Sequence, residues 1–262
     1  KDVTLASKNW KERREKQHRE AARARVAKAQ GLSQKGMLDE AAKELERSLS
    51  VNPDDREALD LLSRVESERG NSLEAVKALT RLKQLDPSDL SVFFRLAALY
   101  HRMNDLDNAL SLLKAIEDTE GENPRAWSDL RDIHILRKEM VPAYSMQKKI
   151  MKSKGKSATP RDQDIFDALR YEKAVVRMAE GKSDDAERRL RDLVKDHPQL
   201  CAPYIALSER TRSRGNIDEA TDLLIKGFRA TRNAVFLIKL EDLGVETENP
   251  QSVIGVYTDL LH

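Results

Sequence analysis

Histidine and cysteine are the side chains best suited to acid–base, nucleophilic or metal chemistry near neutral pH. This chain has five of the first and one of the second. His18, His101, His134, His197 and His262 are far apart in sequence, and Cys201 stands alone beside Ala202 and Pro203. A single thiol makes neither an internal disulfide nor a cysteine-rich metal site, and the role expected of it is that of a small buried apolar group. The sequence contains no phosphate-binding glycine loop, no Gly-x-Ser-x-Gly elbow and no His-Glu-x-x-His pair. No catalytic residue, cofactor or metal ligand is assigned, and the chain reads as a non-enzyme. What is abundant is charge: 47 Lys and Arg against 45 Asp and Glu. The chemistry these offer is reversible recognition, with guanidinium paired to carboxylate or laid over an aromatic face.

Such groups need elements to hold them, and composition points to helices. The 262 residues are 39% hydrophobic, 35% charged and 5% aromatic, with ten Gly and eight Pro. Ala, Leu, Glu, Lys and Arg are strong helix formers, whereas a sandwich or barrel needs frequent turn residues and many β-branched or aromatic side chains. The net charge of +2 gives no global field of the kind that draws nucleic acid. No run approaches the 18 apolar residues that mark a membrane-spanning helix. The chain opens at Lys1 without a methionine and closes inside an apolar pattern, Val253 to Leu261, so it reads as a segment of a longer protein.

An internal period fixes the arrangement. Ala41, Ala75, Ala109 and Ala143 are spaced 34 apart, and after a longer step Ala186 and Ala220 resume the series. A degraded last copy falls near Val253. Five residues before the anchor come Gly36, Gly70, Asn104, Gly181 and Gly215; four after it come Leu45, Leu79, Leu113, Leu190 and Leu224; twelve after it come Pro53, Pro87 and Pro198. Glycine or asparagine in the first slot ends one helix in a left-handed conformation. Asp39, Ser72, Asp105 or Asp107, Ser183 and Asp218 are then expected to cap the next. The small alanine allows two helices to approach, leucine fills the space a turn later, and proline closes the unit. Large apolar residues three apart precede the anchors, as Phe93 and Leu96 or Trp127 and Leu130 do, on one face of the first helix. Arg25 and Arg170 stand where a large apolar residue is usual.

Two antiparallel helices per 34 residues, in this order of side chains, resemble the tetratricopeptide repeat. The third copy, with Phe93, Leu96, Ala97, Tyr100, Ala109 and Leu113, carries the resemblance best. It implies an all-α, right-handed α-solenoid of stacked antiparallel helix pairs, about seven units long, with a concave groove lined by first helices. Residues 1–21 form a basic lead-in helix, 22–151 hold units one to four, 152–163 an insertion loop or helix extension, and 164–262 units five to seven, the last truncated. On this geometry the groove runs from a charged section with Arg64, Phe94, His101, Arg102 and Arg125 to an apolar one with Tyr171, Val175 and Met178. Arginines beside an aromatic suit a carboxylate or peptide backbone, and the apolar section suits a hydrophobic segment. Adaptors of this family that clasp a C-terminal carboxylate use an asparagine eleven before the anchor. Arg64, Ala98, Asp132, Val175 and Glu209 hold those slots here, so that function is not carried over.

The insertion, Lys152–Asp162, is either a docking loop or a solvated change of stacking angle. The stretch Lys8–Lys28 has nine basic and three acidic residues. Ser7 is its expected cap and Trp10 stands near its start; it either lies near an anionic membrane surface or packs on the first unit. The last two units also resemble the bacterial lipopolysaccharide assembly protein B family, through Leu240-Glu-Asp-Leu243, then Glu-Asn-Pro, Ile254 and Tyr257. That likeness implies an N-terminal anchor, a cytoplasmic repeat array at the inner face of the bacterial inner membrane, and an adaptor in lipopolysaccharide assembly. The function expected is a scaffold with a protein or peptide partner and no small-molecule substrate. The alternatives are a self-associating repeat and a helical nucleic-acid binder.

Overall fold

A helix that reverses into an antiparallel partner needs one residue with φ > 0 at the corner. Only glycine takes that conformation without strain, and asparagine tolerates it best of the rest. Gly36, Gly70, Asn104, Lys138, Gly181 and Gly215 all have φ between 59° and 81°. In each case the residue after the corner sends its N–H back to a carbonyl five residues earlier, as Met37 does to Leu32 at 3.0 Å and Asp105 to Tyr100 at 2.8 Å. This double closure satisfies the carbonyls left open at the end of the first helix. Lys138 fills the slot in the fourth copy, where no glycine or asparagine marks the corner.

The computed structural model describes residues 2–247 and 257–258. Among them are thirteen α-helices and no strand. The helices are α1 (Asp2–Gln34), α2 (Leu38–Leu49), α3 (Arg56–Glu68), α4 (Ser72–Leu85), α5 (Leu90–Arg102), α6 (Leu106–Glu120) and α7 (Pro124–Leu136). They continue as α8 (Met140–Lys154), α9 (Pro160–Ala179), α10 (Ser183–Asp196), α11 (Cys201–Ser213), α12 (Ile217–Thr231) and α13 (Val235–Glu246). The anchor alanines launch the second helices: Ala41, Ala75, Ala109, Ala143, Ala186 and Ala220 each donate an N–H to the residue after the corner, at 3.0–3.2 Å. That residue is therefore the cap. It is Met37, Asn71, Lys182 and Asn216 where Asp39, Ser72, Ser183 and Asp218 were expected. The expected residues sit in the first helical turn, where the carboxylates of Asp39 and Asp218 complement the helix dipole. Asp105 alone of the expected caps holds the position, its carboxylate accepting from the Asn108 N–H at 3.2 Å.

Every anchor alanine is at most 1% exposed, and the leucine four residues on is buried in each copy that has one. The described chain divides into two compact units, Lys1–Ile133 and His134–His262. In the first, Val26 and Ala29 of α1 join Ala41, Leu45, Ala58, Leu61 and Val65 in one core. In the second, Ala174, Ala186, Leu190 and Leu207 form one cluster, and Tyr204, Ala220, Leu224, Phe236 and Leu240 another. The α1 helix is continuous: Ala22, Val26 and Ala29 are buried, while Trp10 and His18 are exposed. Ser7 lies within this helix instead of capping it, because the chain is already helical from Asp2. Of the degraded seventh copy, α13 is described, whereas Val253 and Ile254 lie outside the described residues. The Tyr257 hydroxyl donates to Leu237 O at 3.1 Å and to Glu241 Oε1 at 2.9 Å.

The surplus residues between the fourth and fifth copies make a corner bonded to itself. The α8 helix runs to Lys154, a single 3-10 turn spans Gly155–Ser157, and α9 starts at Pro160. Thr159 and Asp162 form a reciprocal capping box. Lys154 Nζ donates to both Asp162 carboxylate oxygens at 2.8 Å, and the buried Gln147 amide donates to the Asp162 carbonyl at 2.9 Å. Gln147 occupies the slot that holds leucine in the other copies, so a polar side chain there is satisfied by the inserted backbone. The Lys154 ammonium and the Thr159 donors hold the Asp162 carboxyl down at about 2, from an ordinary 3.8. A depressed carboxyl stabilises the fold above its unfolded pKa and loses that contribution as it is protonated in the folded state. The second unit should thus lose on the order of 1–2 kcal/mol as pH falls from about 4 to about 2, the lower figure allowing for solvent around Lys154. Asp162→Asn should remove the same amount at neutral pH and flatten that part of the profile, as followed by urea unfolding.

Candidate protein-interaction site

The first helices of the first unit, α3, α5 and α7, each bury one face and leave the other to solvent. On α3 and α5 the free faces enclose a cleft of about 440 Å³. Its apolar floor is Leu79, Ala98 and Leu99, and its walls carry Arg64, Glu68, Arg95 and Arg102. Asp60 accepts from Arg64 at 3.0 Å and also pairs with Arg95, which reaches Ser63 as well. Two of the three arginines are thereby engaged within the protein. Arg102 is exposed and forms no ion pair or hydrogen bond among the described residues.

Beside the cleft, the Arg125 guanidinium of α7 lies 4.3 Å from the centroid of the Phe94 ring. A guanidinium stacked in this way keeps its in-plane donors free for a carboxylate or a peptide carbonyl. Asp129, one turn along α7, is pushed up from the usual carboxylate range by burial; Arg125 opposes that shift and Asp132 adds to it. His101 is exposed on α5 and is among the charges acting on Asp129. His134 is buried, with its Nδ1 2.6 Å from Glu139 Oε2.

The structure thus brings Arg64 and Arg102 into one cleft and sets Arg125 on Phe94. Tyr171, Val175 and Met178 belong to α9 of the second unit and are all half-buried. Tyr171 and Met178 pack against the cluster built on Ala174 and Leu190. The reason is the substitution of charge for bulk on this helix. Arg170 pairs with Asp167 and Asp196, and Lys173 lies 4.0 Å from the Tyr144 ring centroid, so α9 seals its core with neighbouring side chains. Sequence reasoning missed Arg95 and Asp129, and with Arg95 the pairing that engages Asp60. The pair Arg95–Asp60 is 35 residues apart, about one repeat, and opposite charges at that interval are the signal that finds it. Among the described residues, no group of three or more His, Cys, Asp or Glu is placed to hold a metal ion, and no helix is long and apolar enough to cross a membrane.

Helix pairs that repeat one corner and one anchor, and present open faces, define a helical repeat protein. Residues 26–89 match the tetratricopeptide repeat family model, and the later pairs reproduce the same corner and anchor. It is 33% identical over 87 residues to Peroxisome biogenesis protein 5 of Arabidopsis thaliana, covering 33% of this chain and 12% of that protein. It is 29% identical over 132 residues to Protein O-mannosyl-transferase TMTC1 of Mus musculus, covering 49% of this chain and 14% of the other. The chain therefore spans a small fraction of the length of either relative. The solved structure of Naa15/Naa10 bound to HypK-THB shares the fold, with a TM-score of 0.69 and 15% identity, over 98% of this chain and 38% of that one.

Proposed function

We propose that this protein is a non-enzymatic scaffold that holds a protein or peptide partner against the first-helix face of its first unit. The observation that carries the reading is the cleft between α3 and α5, where Arg102 stands without a partner over an apolar floor while Arg64 and Arg95 are occupied by Asp60. Arg125 on Phe94 adds a second oriented donor. An extended segment with a carboxylate and an apolar side chain fits both features. The tetratricopeptide repeat model matched by residues 26–89 supports a scaffold. A nucleic-acid ligand would need cations of one sign along the face, whereas Asp60, Glu68, Asp129 and Asp132 alternate with the arginines here.

Arg102→Glu combined with Arg125→Glu should abolish capture of the partner in a pull-down while the circular dichroism of the helices stays unchanged. Undiminished capture by that variant would remove the groove assignment.

A finer part of the proposal is cellular. The likeness of Leu240–Leu243 and Tyr257 to lipopolysaccharide assembly protein B, with the basic Trp10-led start of α1, supports a cytoplasmic adaptor tethered at the inner face of a bacterial inner membrane. Arg14 lies 5.2 Å from the Trp10 ring centroid, which leaves an exposed aromatic-cationic pair on that helix. Sedimentation with phosphatidylglycerol vesicles, lost on Trp10→Ser with Arg14→Glu, is the expected result; equal recovery of both proteins contradicts the membrane reading.

A further inference from the structure

Repetition allows one position to be compared between neighbouring pairs. In the first unit the space over Phe93 is covered by Lys83 of α4, whose ammonium is 5.2 Å from the ring centroid. Ala115 and Asp118 of α6 complete that register. In the second unit Tyr204 takes the Phe93 slot, and the matching positions on α10 and α12 are Val194, Lys226 and Arg229. The covering lysine has become a valine and the acid across from it an arginine.

What results is an open hollow of about 590 Å³, with Val194, Leu207 and Leu223 in its floor and Arg191, Lys195, Lys226 and Arg229 around it. Arg191 is engaged by Glu187 at 2.9 Å and Glu219 at 2.6 Å. Lys195, Lys226 and Arg229 are exposed and form no ion pair or hydrogen bond among the described residues. Tyr204 adds an independent observation. The residue is 4% exposed, its ring packs edge-on against Phe236 at 6.0 Å, and it lines the hollow. Its hydroxyl makes no hydrogen bond among the described residues and its oxygen is not sealed from solvent, so it is open to a polar group that enters the hollow.

We propose that this hollow is a second docking site, separate from the α3–α5 cleft, that takes a segment of a partner protein carrying several carboxylates around one bulky apolar side chain. The apolar side chain enters the recess, the carboxylates meet the three unengaged cations, and the Tyr204 hydroxyl donates to a carbonyl or carboxylate of the segment. Charge complementarity sets the sign of the partner, and the recess sets its kind. Attachment to a bilayer calls for apolar side chains that protrude, whereas this surface offers a cavity that receives one.

The test uses the whole chain and a dye-labelled decapeptide of Asp and Glu around one Phe and one Leu, followed by fluorescence anisotropy. Binding is expected, and it should weaken about tenfold or more, equivalent to about 1.4 kcal/mol, for Lys226→Glu with Arg229→Glu. It should also fall between about 0.01 M and about 1 M salt, over which screening contracts from about 30 to about 3 Å. Tyr204→Phe should weaken it a few-fold, and the peptide with Ser for Phe and Leu should bind at least about tenfold more weakly. In a protein carrying Arg102→Glu with Arg125→Glu, the loss caused by the α12 reversal should be undiminished, which separates this site from the cleft. The substituted positions on α12 are exposed, and an unchanged helical spectrum verifies folding. No binding of the acidic peptide overturns the proposal, as does binding indifferent to the α12 reversal or to loss of Phe and Leu. Two other outcomes also overturn it: retention by phosphatidylglycerol vesicles in place of the peptide, or a concentration-dependent dimer that the reversal dissolves.

Discussion

Everything in this molecule depends on how closely two helices of a pair can approach at one alanine. A left-handed residue ends the first helix, the next residue caps the second, and the alanine four positions later supplies the first hydrogen bond of that helix. At that point the second helix already lies against its partner, and any side chain beyond a methyl group would hold the two apart. The anchor is accordingly buried in all six described copies. Because the corner and the anchor are local in sequence, each pair is specified by its own residues and touches mainly its neighbours. In the first unit, α3 and α5 are left with a face outside the core, and the proposed cleft lies on those faces.

Ion pairs between neighbouring pairs recur at roughly one repeat. Arg56 with Asp86, Arg95 with Asp60, Arg212 with Glu246 and Lys239 with Glu209 are examples. Exposed pairs of this kind contribute little individually, about 1 kcal/mol or less. Their larger consequence is selective: they occupy some of the cations around each hollow and leave others unpaired among the described residues. Arg102 in the first unit, and Lys195, Lys226 and Arg229 in the second, are such residues. A composition of nearly balanced charge conceals them; only the pairing pattern reveals which ones are available.

The helix pairs, their corners and their anchors were legible from spacing alone, because each slot has one dominant physical requirement. Left-handed φ calls for Gly or Asn, close approach calls for Ala, and interior filling calls for Leu. Lys138 escaped because lysine meets the corner requirement only when the surrounding bonds impose it. The caps were misplaced by a residue or two because the corner, and not the side-chain preference of Asp or Ser, sets where the second helix begins. The role of the 152–163 stretch was hidden because Gln147 and Asp162 satisfy each other across a distance that no local pattern encodes. In the candidate cleft, Arg64 and Arg102 were legible as groove positions and Arg95 was not. Which of them remains unengaged depends on Asp60, which serves Arg64 one turn away and Arg95 one repeat away. On α9, Tyr171 and Met178 looked like free apolar surface, and their packing follows from charges at Arg170 and Lys173 that displace the usual core residues.

The most direct test of the anchor is to enlarge it where nothing else changes. Ala109→Leu should shift the urea unfolding midpoint of the first unit downward by the equivalent of about 1–3 kcal/mol, the usual range for overfilling a packed interior. Ser111→Leu, on the exposed side of the same helix, should stay within about 0.5 kcal/mol of the parent. Equal midpoints for the two variants, or a more stable Ala109→Leu protein, would contradict the claim that close approach at this residue sets the arrangement of the helix pairs.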